Sequence, residues 1–276
     1  MSKTIVIGNE KGGVGKTTSS VIGAVQAGLK KGKTLLVDLD PQNNASGALL
    51  EDFFETVSDS EMLTSDKLFH PLAELKPLTG KYGIDVIPAS DAIHEFPQLL
   101  KEDDITDLVR NAQDANDVIQ SVREKQLLSF VGNFSKLKKT YDYIVIDTPP
   151  SFLGLPLLAA LCVVDELYIL VTASKFSSQV VPKFLNKIEQ VKVVNPKLKI
   201  NGIVVNQYDR TSTKQPLILK KWNEEHGDLI KAVLPKASWI EHCGQEAIHV
   251  NENATNRTRK NVAKLVNDFF NSVWGK

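Results

Sequence analysis

The sequence predicts an α/β fold built on one doubly wound, mostly parallel β-sheet with helices on both faces. Apolar runs of strand length recur along the 276 residues and alternate with segments of helical period. The runs are apolar throughout rather than alternating, which is typical of strands covered on both faces. Strands that are separated by helices favour parallel pairing, because a parallel connection needs a crossover.

Seven runs are predicted strands, at residues 4–8, 34–38, 84–88, 143–147, 167–171, 200–206 and 230–235. A helix is predicted over residues 16–31, with Gly32 as its stop. Ser178 is the expected cap of a helix over residues 180–194, with Pro182 in its first turn. One or two solvent-facing helices are expected within residues 101–139.

We interpret residues 1–276 as a single domain, because no internal repeat or low-complexity tract interrupts the alternation of strands and helices. Residues 51–139 are the most divergent region, and residues 51–82 within it are the least regular, acidic at first and broken by prolines. A C-terminal helix is expected over residues 255–274. One face of that helix has the apolar spacing of a packed surface. Its members are Val262, Leu265, Val266, Phe269 and Phe270.

The composition excludes several classes of protein. The chain is 42% hydrophobic and 24% charged, and it has no apolar stretch long enough to span a bilayer. No charged-then-apolar signal precedes the first strand, which favours a cytoplasmic location. Because the net charge is +0, any contact with nucleic acid requires a local basic patch, or a patch doubled by dimerisation.

Residues 10–18, Glu-Lys-Gly-Gly-Val-Gly-Lys-Thr-Thr, are the most informative segment. A glycine-rich turn between a strand and a helix presents backbone N–H groups to a phosphate at the positive end of the helix dipole. The usual pattern, G-x-x-x-x-G-K-[ST], has glycine where this chain has Glu10. A second lysine, Lys11, stands instead at the head of the loop. The segment predicts a P-loop NTPase-like site with an unusual loop.

Two further strands end in carboxylates that suit such a site. Lys16 is expected to neutralise β- and γ-phosphate charge, and the Thr17 hydroxyl to ligate Mg²⁺. Asp147 ends one strand and is placed to hold the water shell of the metal. Asp38 and Asp40 end another, where Pro41 stops the strand. This lets Asp40 turn toward the γ-phosphate while Asp38 stays near the metal. Each Asp alone is also a common turn former.

In these motifs the chain resembles the ParA/MinD superfamily of dimerising ATPases, and its ParA subgroup in particular. Residues 11–18 are similar to the deviant Walker A loop, residues 38–42 to the second motif and residues 147–150 to the Walker B segment. The resemblance implies the cofactors ATP and Mg²⁺. It implies catalytic roles for Lys11, Lys16 and Asp40, and metal contacts for Thr17, Asp38 and Asp147. The implied ATP-binding residues are Lys11, Gly12, Gly13, Val14, Gly15, Lys16, Thr17, Thr18 and Asn206.

The resemblance also implies a mode of action. Lys11 would cross a homodimer interface to the phosphates of the partner's ATP, and intrinsic hydrolysis would be weak. The ATP dimer would bind double-stranded DNA without sequence preference and segregate a cargo on the nucleoid, and a ParB-like centromere-binding protein would stimulate hydrolysis. The first strand begins close to the N-terminus, which fits a short form without a helix-turn-helix domain. Plasmid, chromosome and protein cluster remain open as cargo.

Basic residues near the start of the C-terminal helix are the expected DNA contacts: Arg257, Arg259 and Lys260. A second set is Lys214, Lys220 and Lys221. The alternative for any one of them is an ordinary solvated cation.

Two other functions share the loop. A MinD-like membrane-associated ATPase would end in a basic amphipathic helix, but the apolar face of the C-terminal helix fits a packed core better. A redox enzyme of the nitrogenase-iron-protein branch would need bridging cysteines. Cys162 and Cys243 supply the number but not the surroundings, since Cys162 lies in an apolar run and Cys243 lacks ligands at metal spacing.

Overall fold

The computed structural model describes residues 2–30, 32–50, 62–72, 74–90, 92–93, 122–150 and 155–275. Most of the acidic stretch within 51–82 and residues 101–121 of the predicted helical region lie outside these ranges. The described residues form one eight-stranded sheet with the strand order β3-β4-β2-β5-β1-β6-β7-β8. The strands are β1 Lys3–Gly8, β2 Thr34–Asp38, β3 Leu78–Thr79, β4 Asp85–Ile87, β5 Tyr143–Asp147, β6 Glu166–Thr172, β7 Lys199–Tyr208 and β8 Ile230–Pro235.

All neighbouring strands pair in parallel except β3 and β4, which are antiparallel. The predicted fold class is confirmed, and each of the seven predicted runs contains a strand. Strand β3 was not predicted, because two residues carry no recognisable apolar period. Because β1, β2 and β5 are parallel, their carboxyl ends lie at the same edge of the sheet. The strand order reverses around β1, next to β5. A parallel sheet places its ligand at this kind of edge.

Helices cover both faces of the sheet. They are α1 Lys16–Gly28, α2 Asn44–Leu49, α3 Val122–Thr140, α4 Leu155–Val163, α5 Lys175–Val191, α6 Gln215–His226, α7 Ser238–Gln245 and α8 Arg257–Trp274. Short 3-10 turns lie at Ser65–Phe69, Lys81–Gly83 and Gly227–Leu229.

Two helix ends differ from the sequence-based prediction. Helix α1 ends at Gly28 rather than at residue 31, and the Lys30 ammonium donates to the carbonyl of Gly275 at 2.6 Å. Helix α5 begins earlier than predicted because Ser174, two residues after the end of β6, caps it by accepting from the Ser177 N–H at 3.2 Å. Pro182 is therefore inside the helix and not in its first turn, and it has no N–H to donate to the preceding turn.

One apolar cluster lies on each face of the sheet. On the first, α3 buries Phe130, Phe134 and Leu137, so the described part of the 101–139 region is not simply solvent-facing. Phe130 lies between Phe134 and Phe69, with ring centroids 5.8 and 4.7 Å away. Fully burying one such ring contributes about 1.5–3 kcal/mol.

On the other face, α1 packs against the C-terminal helix α8. Phe269, Phe270 and Trp274 are buried, and the Trp274 indole donates to the Gly23 carbonyl at 3.0 Å. A Cβ at Gly23 would lie 2.7 Å from the Phe270 ring, so glycine allows this close packing. Val266, Phe269 and Phe270 of the predicted apolar face therefore belong to the core, whereas Leu265 is 39% exposed. No helix in the described ranges is long and apolar enough to cross a membrane.

Candidate functional site

The glycine-rich loop connects β1 to α1 with left-handed backbone at two glycines. Gly13 has φ 72° and Gly15 has φ 91°, a region that glycine adopts without strain. A Cβ at Gly15 would also lie 2.6 Å from Nδ2 of Asn206. Gly15 is the N-cap of α1 and supplies no side-chain acceptor, so the N–H groups of the first turn have no side-chain cap. This end of α1 is suited to an anion.

Asn9 anchors the head of the loop. The side chain is 4% exposed; its Nδ2 donates to the Leu170 carbonyl at 2.5 Å, and its Oδ1 accepts from the Lys11 N–H at 3.0 Å. Glu10, in the place of the usual glycine, forms a 3.0 Å ion pair with Lys187 of α5. These contacts tie the loop to β6 and α5 on the side that carries Lys11.

Lys16 points back into the loop and is 6% exposed. Its Nζ donates to the Lys11 carbonyl at 3.1 Å. Burial lowers the pKa of Lys16, while the charges of Asp147 and Asp40 act to raise it. A cation surrounded by a carbonyl and carboxylates at a helix N-terminus is arranged to receive phosphate oxygens.

Asp38 and Asp147 are register partners at the ends of β2 and β5, and both are fully buried. Oδ2 of Asp38 accepts from the N–H and hydroxyl of Ser46 at 2.9 and 2.7 Å, and Oδ1 accepts from the Asp40 N–H at 3.0 Å. Burial raises the pKa of Asp38 to about 6, and these hydrogen bonds act against the rise. Asp38 is thus oriented by the start of α2.

Asp147 has an unsatisfied oxygen. Its Oδ1 accepts from the Ser20 hydroxyl at 2.9 Å, whereas its buried Oδ2 has no hydrogen-bond partner. Burial, with the Asp38 charge second, raises the pKa of Asp147 to about 7, and the nearby Thr17 and Ser20 hydroxyls act to lower it. The neighbouring Thr148 hydroxyl is also buried without a partner. Such orphaned oxygens mark a place for a cation or its water.

These residues fit Mg²⁺, although none of the described residues forms a cluster of three or more His, Cys, Asp or Glu side chains able to hold a metal alone. Mg²⁺ prefers oxygen ligands and is usually bound by one or two carboxylates together with substrate phosphates and water. The orphaned Oδ2 of Asp147 and the Thr17 hydroxyl supply that kind of ligand. Asp38, with both oxygens already engaged, is suited to the water shell.

Asp40 lies beyond the strand end and lines the cleft. Its Oδ1 accepts from the Gln42 N–H at 3.1 Å, and its carbonyl accepts from the Asn43 N–H at 2.9 Å. These contacts hold Asp40 in the turn that begins at Pro41.

A cleft of about 560 Å³ opens over the loop. Its lining brings together the loop, Asp40, Asn206 and a segment that the sequence analysis missed. The lining residues are Gly12, Gly13, Gly15, Lys16, Thr17, Thr18, Asp40, Asn44, Pro150, Asn206, Gln207, Pro235, Lys236, Ala237, Ser238, Ile240 and Glu241. Residues 235–241 carry no sequence motif, so their place in the cleft lining follows only from the packing of α7 on α1.

Two amide side chains from the end of β7 hold the loop carbonyls. Asn206 donates to the Val14 carbonyl at 2.9 Å, and Gln207 donates to the Gly13 carbonyl at 3.2 Å. Gln207 was missed, and its left-handed φ of 54° is uncommon for a non-glycine residue. An unusual backbone at a strand end that aims a side chain into the loop is typical of a functional site.

The predicted basic patch divides in two. Arg257 and Lys260 are exposed, whereas Arg259 is half-buried with its Nη1 bonded to the carbonyl and the Oδ1 of Asn253, both at 3.2 Å. Of the second set, Lys221 lies 3.5 Å from Glu225.

The two cysteines do not meet. Cys162 and Cys243 are both buried and free, and burial raises the pKa of the Cys162 thiol to about 12.

Comparison with known proteins places this geometry in a family. Residues 2–200 match the family described as "AAA domain". The sporulation initiation inhibitor protein Soj of Bacillus subtilis is 33% identical over 247 residues, which cover 86% of this chain and 85% of that protein. The chain belongs to the Soj/ParA family of partition ATPases. The chromosome-partitioning ATPase Soj of Treponema pallidum is 29% identical over 238 residues, 86% of this chain and 84% of that protein.

Solved structures show the same fold. A putative plasmid partition protein of Borrelia burgdorferi, bound to AMPPNP, superposes with a TM-score of 0.70 at 22% identity and covers 99% of each chain. Cobyrinic acid a,c-diamide synthase of Mycobacterium smegmatis, with a bound ATP analogue and magnesium, has a TM-score of 0.69 at 21% identity and covers 99% of this chain and 94% of its own. The family thus agrees with the resemblance first indicated by residues 11–18, 38–42 and 147–150.

Proposed function

We propose that this member of the Soj/ParA family is a partition ATPase that binds ATP and Mg²⁺ in the cleft over residues 11–18 and dimerises on ATP. The observation that carries the proposal is the convergence of Lys16, Asp40 and the paired Asp38 and Asp147 at one edge of the sheet. Phosphoryl transfer needs positioning and charge neutralisation more than covalent chemistry, and this cluster supplies both.

Each residue has a distinct part in hydrolysis. The backbone of the loop and Lys16 hold the phosphates. Thr17 and Asp147 hold the metal, and Asp38 orients its water shell. Mg²⁺, when bound, would supply positive charge that offsets the charge of the phosphates. Asp40, at the mouth of the cleft, orients the attacking water. The Asn206 amide lies against the loop at Val14, on the side where the base would be bound.

Lys11 would complete the site of a second protomer. The Asn9 and Glu10 contacts hold the main chain that leads into Lys11, and the Lys16 ammonium holds the Lys11 carbonyl, so the backbone that carries the Lys11 side chain is fixed by the loop. A cation supplied by the partner is present only in the dimer, which makes hydrolysis in the monomer slow. ATP would first join the protomers and would later, once hydrolysed, release them.

The ATP dimer would bind double-stranded DNA through local patches on a chain of zero net charge. Arg257 and Lys260 are the exposed cations at the start of α8. Lys260 and Lys264 line a groove of about 430 Å³ together with Asp268, whose carboxylate reduces the local positive charge. One patch would bind weakly, and two patches in a dimer would bind more tightly through avidity. A ParB-like partner would stimulate hydrolysis, and the protein would act on the nucleoid in the cytoplasm.

Phosphate release with ATP and Mg²⁺, measured with and without duplex DNA, tests the proposal. Wild-type protein should hydrolyse ATP slowly, and removal of Mg²⁺ by EDTA should abolish the reaction. In the same buffer the protein should sediment with DNA only when ATP is present. Lys16→Ala is the control for contaminating ATPase activity and should lose both properties. Equal DNA binding with and without nucleotide would contradict the nucleotide-gated part of the proposal.

A further inference from the structure

Helix α7 lies between the nucleotide cleft and the segment that leads into α8. On one side, Ile240 and Glu241 line the cleft. On the other, Trp239 and Cys243 meet residues from the end of the chain: the Trp239 ring lies 5.7 Å from the Arg259 guanidinium carbon, and the Cys243 Sγ lies 3.8 Å from Nδ2 of Asn253. A movement of α7 would therefore change both the lining of the cleft and the contacts with Asn253 and Arg259.

Gly244 fixes α7 against the P-loop helix. A Cβ at this position would lie 2.6 Å from Cγ2 and 2.8 Å from Cα of Thr18, so only glycine allows the observed contact. Thr18 itself lines the cleft. The position of α7 relative to the loop is thus set by direct backbone packing at its C-terminal end.

The N-terminal end of α7 is held differently. Ala237 occupies the N-cap and makes no side-chain hydrogen bond, so this end lacks the usual capping stabilisation. Trp239 lies in this first turn, and its half-buried ring packs on the core below. The Arg259 guanidinium covers the ring in a cation–π contact.

Arg259 is itself rigidly held. Its Nη1 donates to the carbonyl and to the Oδ1 of Asn253, both at 3.2 Å. The backbone N–H of Arg259 donates at 2.9 Å to Oδ1 of Asn256, the N-cap of α8. The guanidinium is therefore fixed over Trp239 rather than extended into solvent.

We propose that Arg259 is a positioning residue for the nucleotide cleft: through Trp239 it holds the uncapped end of α7 in place as the cleft wall. The inference rests on the proposed binding of ATP in that cleft. It gives Arg259 a role different from that of its neighbour Arg257, although both belong to the same basic patch. Loss of the contact would leave only a fraction of molecules with a formed wall, and the apparent affinity for nucleotide would fall by that fraction.

The coupling works in both directions. If the contact of Arg259 with Trp239 favours nucleotide binding, bound nucleotide must stabilise that contact by the same factor. The indole of Trp239 is a natural reporter, because its emission depends on the charge and solvent next to the ring. The other two tryptophans, Trp222 and Trp274, are buried in the core at 2% and 5% exposure and should respond little.

The test measures the affinity of full-length variants for a non-hydrolysable ATP analogue with Mg²⁺ by isothermal titration calorimetry. We expect Arg259→Ala and Trp239→Leu to weaken binding about 5- to 10-fold, the range expected when a cation–π contact and its hydrogen bonds are lost. Arg259→Lys keeps a cation over the ring and should recover part of the loss. Lys192→Ala, the control, removes a cation that pairs with Glu189 of α5 at 2.6 Å, away from the cleft lining, and should bind within about 2-fold of wild type.

Tryptophan emission separates positioning from a general loss of structure. Wild-type protein should change its emission on adding the analogue, Arg259→Ala should show a smaller change at saturation, and Trp239→Leu should show none. Wild-type affinity in both Arg259→Ala and Trp239→Leu would overturn the inference, as would an equal loss in Lys192→Ala. If Arg259→Ala does not fold in a thermal melt, Trp239→Leu decides. Absence of binding by wild-type protein would instead refute the proposed function.

Discussion

Asp38 and Asp147 face each other as register partners across β2 and β5, fully buried, with only one of their four carboxylate oxygens left without a hydrogen bond. Two buried carboxylates on adjacent strands are unfavourable unless a cation or protons compensate their charge. The arrangement is therefore suited to a function that brings a cation, and it costs stability when the cation is absent.

Asp147→Asn should separate these two effects. Nucleotide-free protein should become more stable by about 1 kcal/mol, because a buried like charge is removed. Hydrolysis of ATP should fall at least about 100-fold, because our proposal makes Asp147 a ligand of the metal. Chemical denaturation and phosphate release measure the two quantities. Asp209→Asn is the matched control: Asp209 also follows a strand, β7, but its Oδ1 accepts from the N–H and hydroxyl of Thr211 in the next turn, so activity should be unchanged.

Asp40→Ala should abolish turnover without preventing ATP binding. Asp40 orients the attacking water in our proposal, and such a group contributes typically about 10²–10⁴-fold to the rate. The affinity for ATP should stay within about 3-fold of wild type, and the ATP dimer should persist for longer. Asn44→Ala, which alters the lining of the same cleft, should retain turnover. A normal rate in Asp40→Ala would remove Asp40 from the catalytic set.

Gly15→Ala should prevent nucleotide binding. A Cβ here would meet the Asn206 amide at 2.6 Å, and φ of 91° strains any other residue. Strain of this kind costs about 1–3 kcal/mol, which should appear as a lower melting temperature. Gly132→Ala is the control: this glycine lies inside α3, where an added Cβ would meet nothing within 4 Å, and alanine should stabilise the helix by about 0.5–1 kcal/mol. Calorimetry with the ATP analogue completes the comparison.

Arg257→Ala/Lys260→Ala should weaken ATP-dependent DNA binding and flatten its salt dependence. Each lost phosphate contact lowers the slope of log K against log salt by about 0.9. Fluorescence anisotropy with a labelled duplex at several salt concentrations measures the slope. Lys76→Ala removes a cation paired with Glu74 at 3.0 Å and should leave the slope unchanged. If the double variant matches wild type at every salt concentration, the footprint lies elsewhere.

Much of the fold could be predicted, because its strands are continuous apolar runs and its loop is a local motif. Residues 11–18 and the carboxylates 38, 40 and 147 each carry their signal within a few residues. Helix ends were less predictable: Ser174 caps α5 because β6 ends two residues before it, and Ser178 offered an equally plausible local pattern. The site residues Gln207 and 235–241 were missed because their contacts with the loop arise only when β7, β8 and α7 pack beside it.

Light scattering of wild-type protein and Lys11→Ala, with ATP and Mg²⁺ and in the Asp40→Ala background to prevent turnover, tests most directly whether ATP joins two protomers. Calorimetry should first show that both proteins bind ATP. Our proposal predicts that the mass doubles on adding ATP when Lys11 is present and stays that of a monomer when it is alanine. A monomeric mass for both, or a dimer that forms equally well without Lys11, would contradict it.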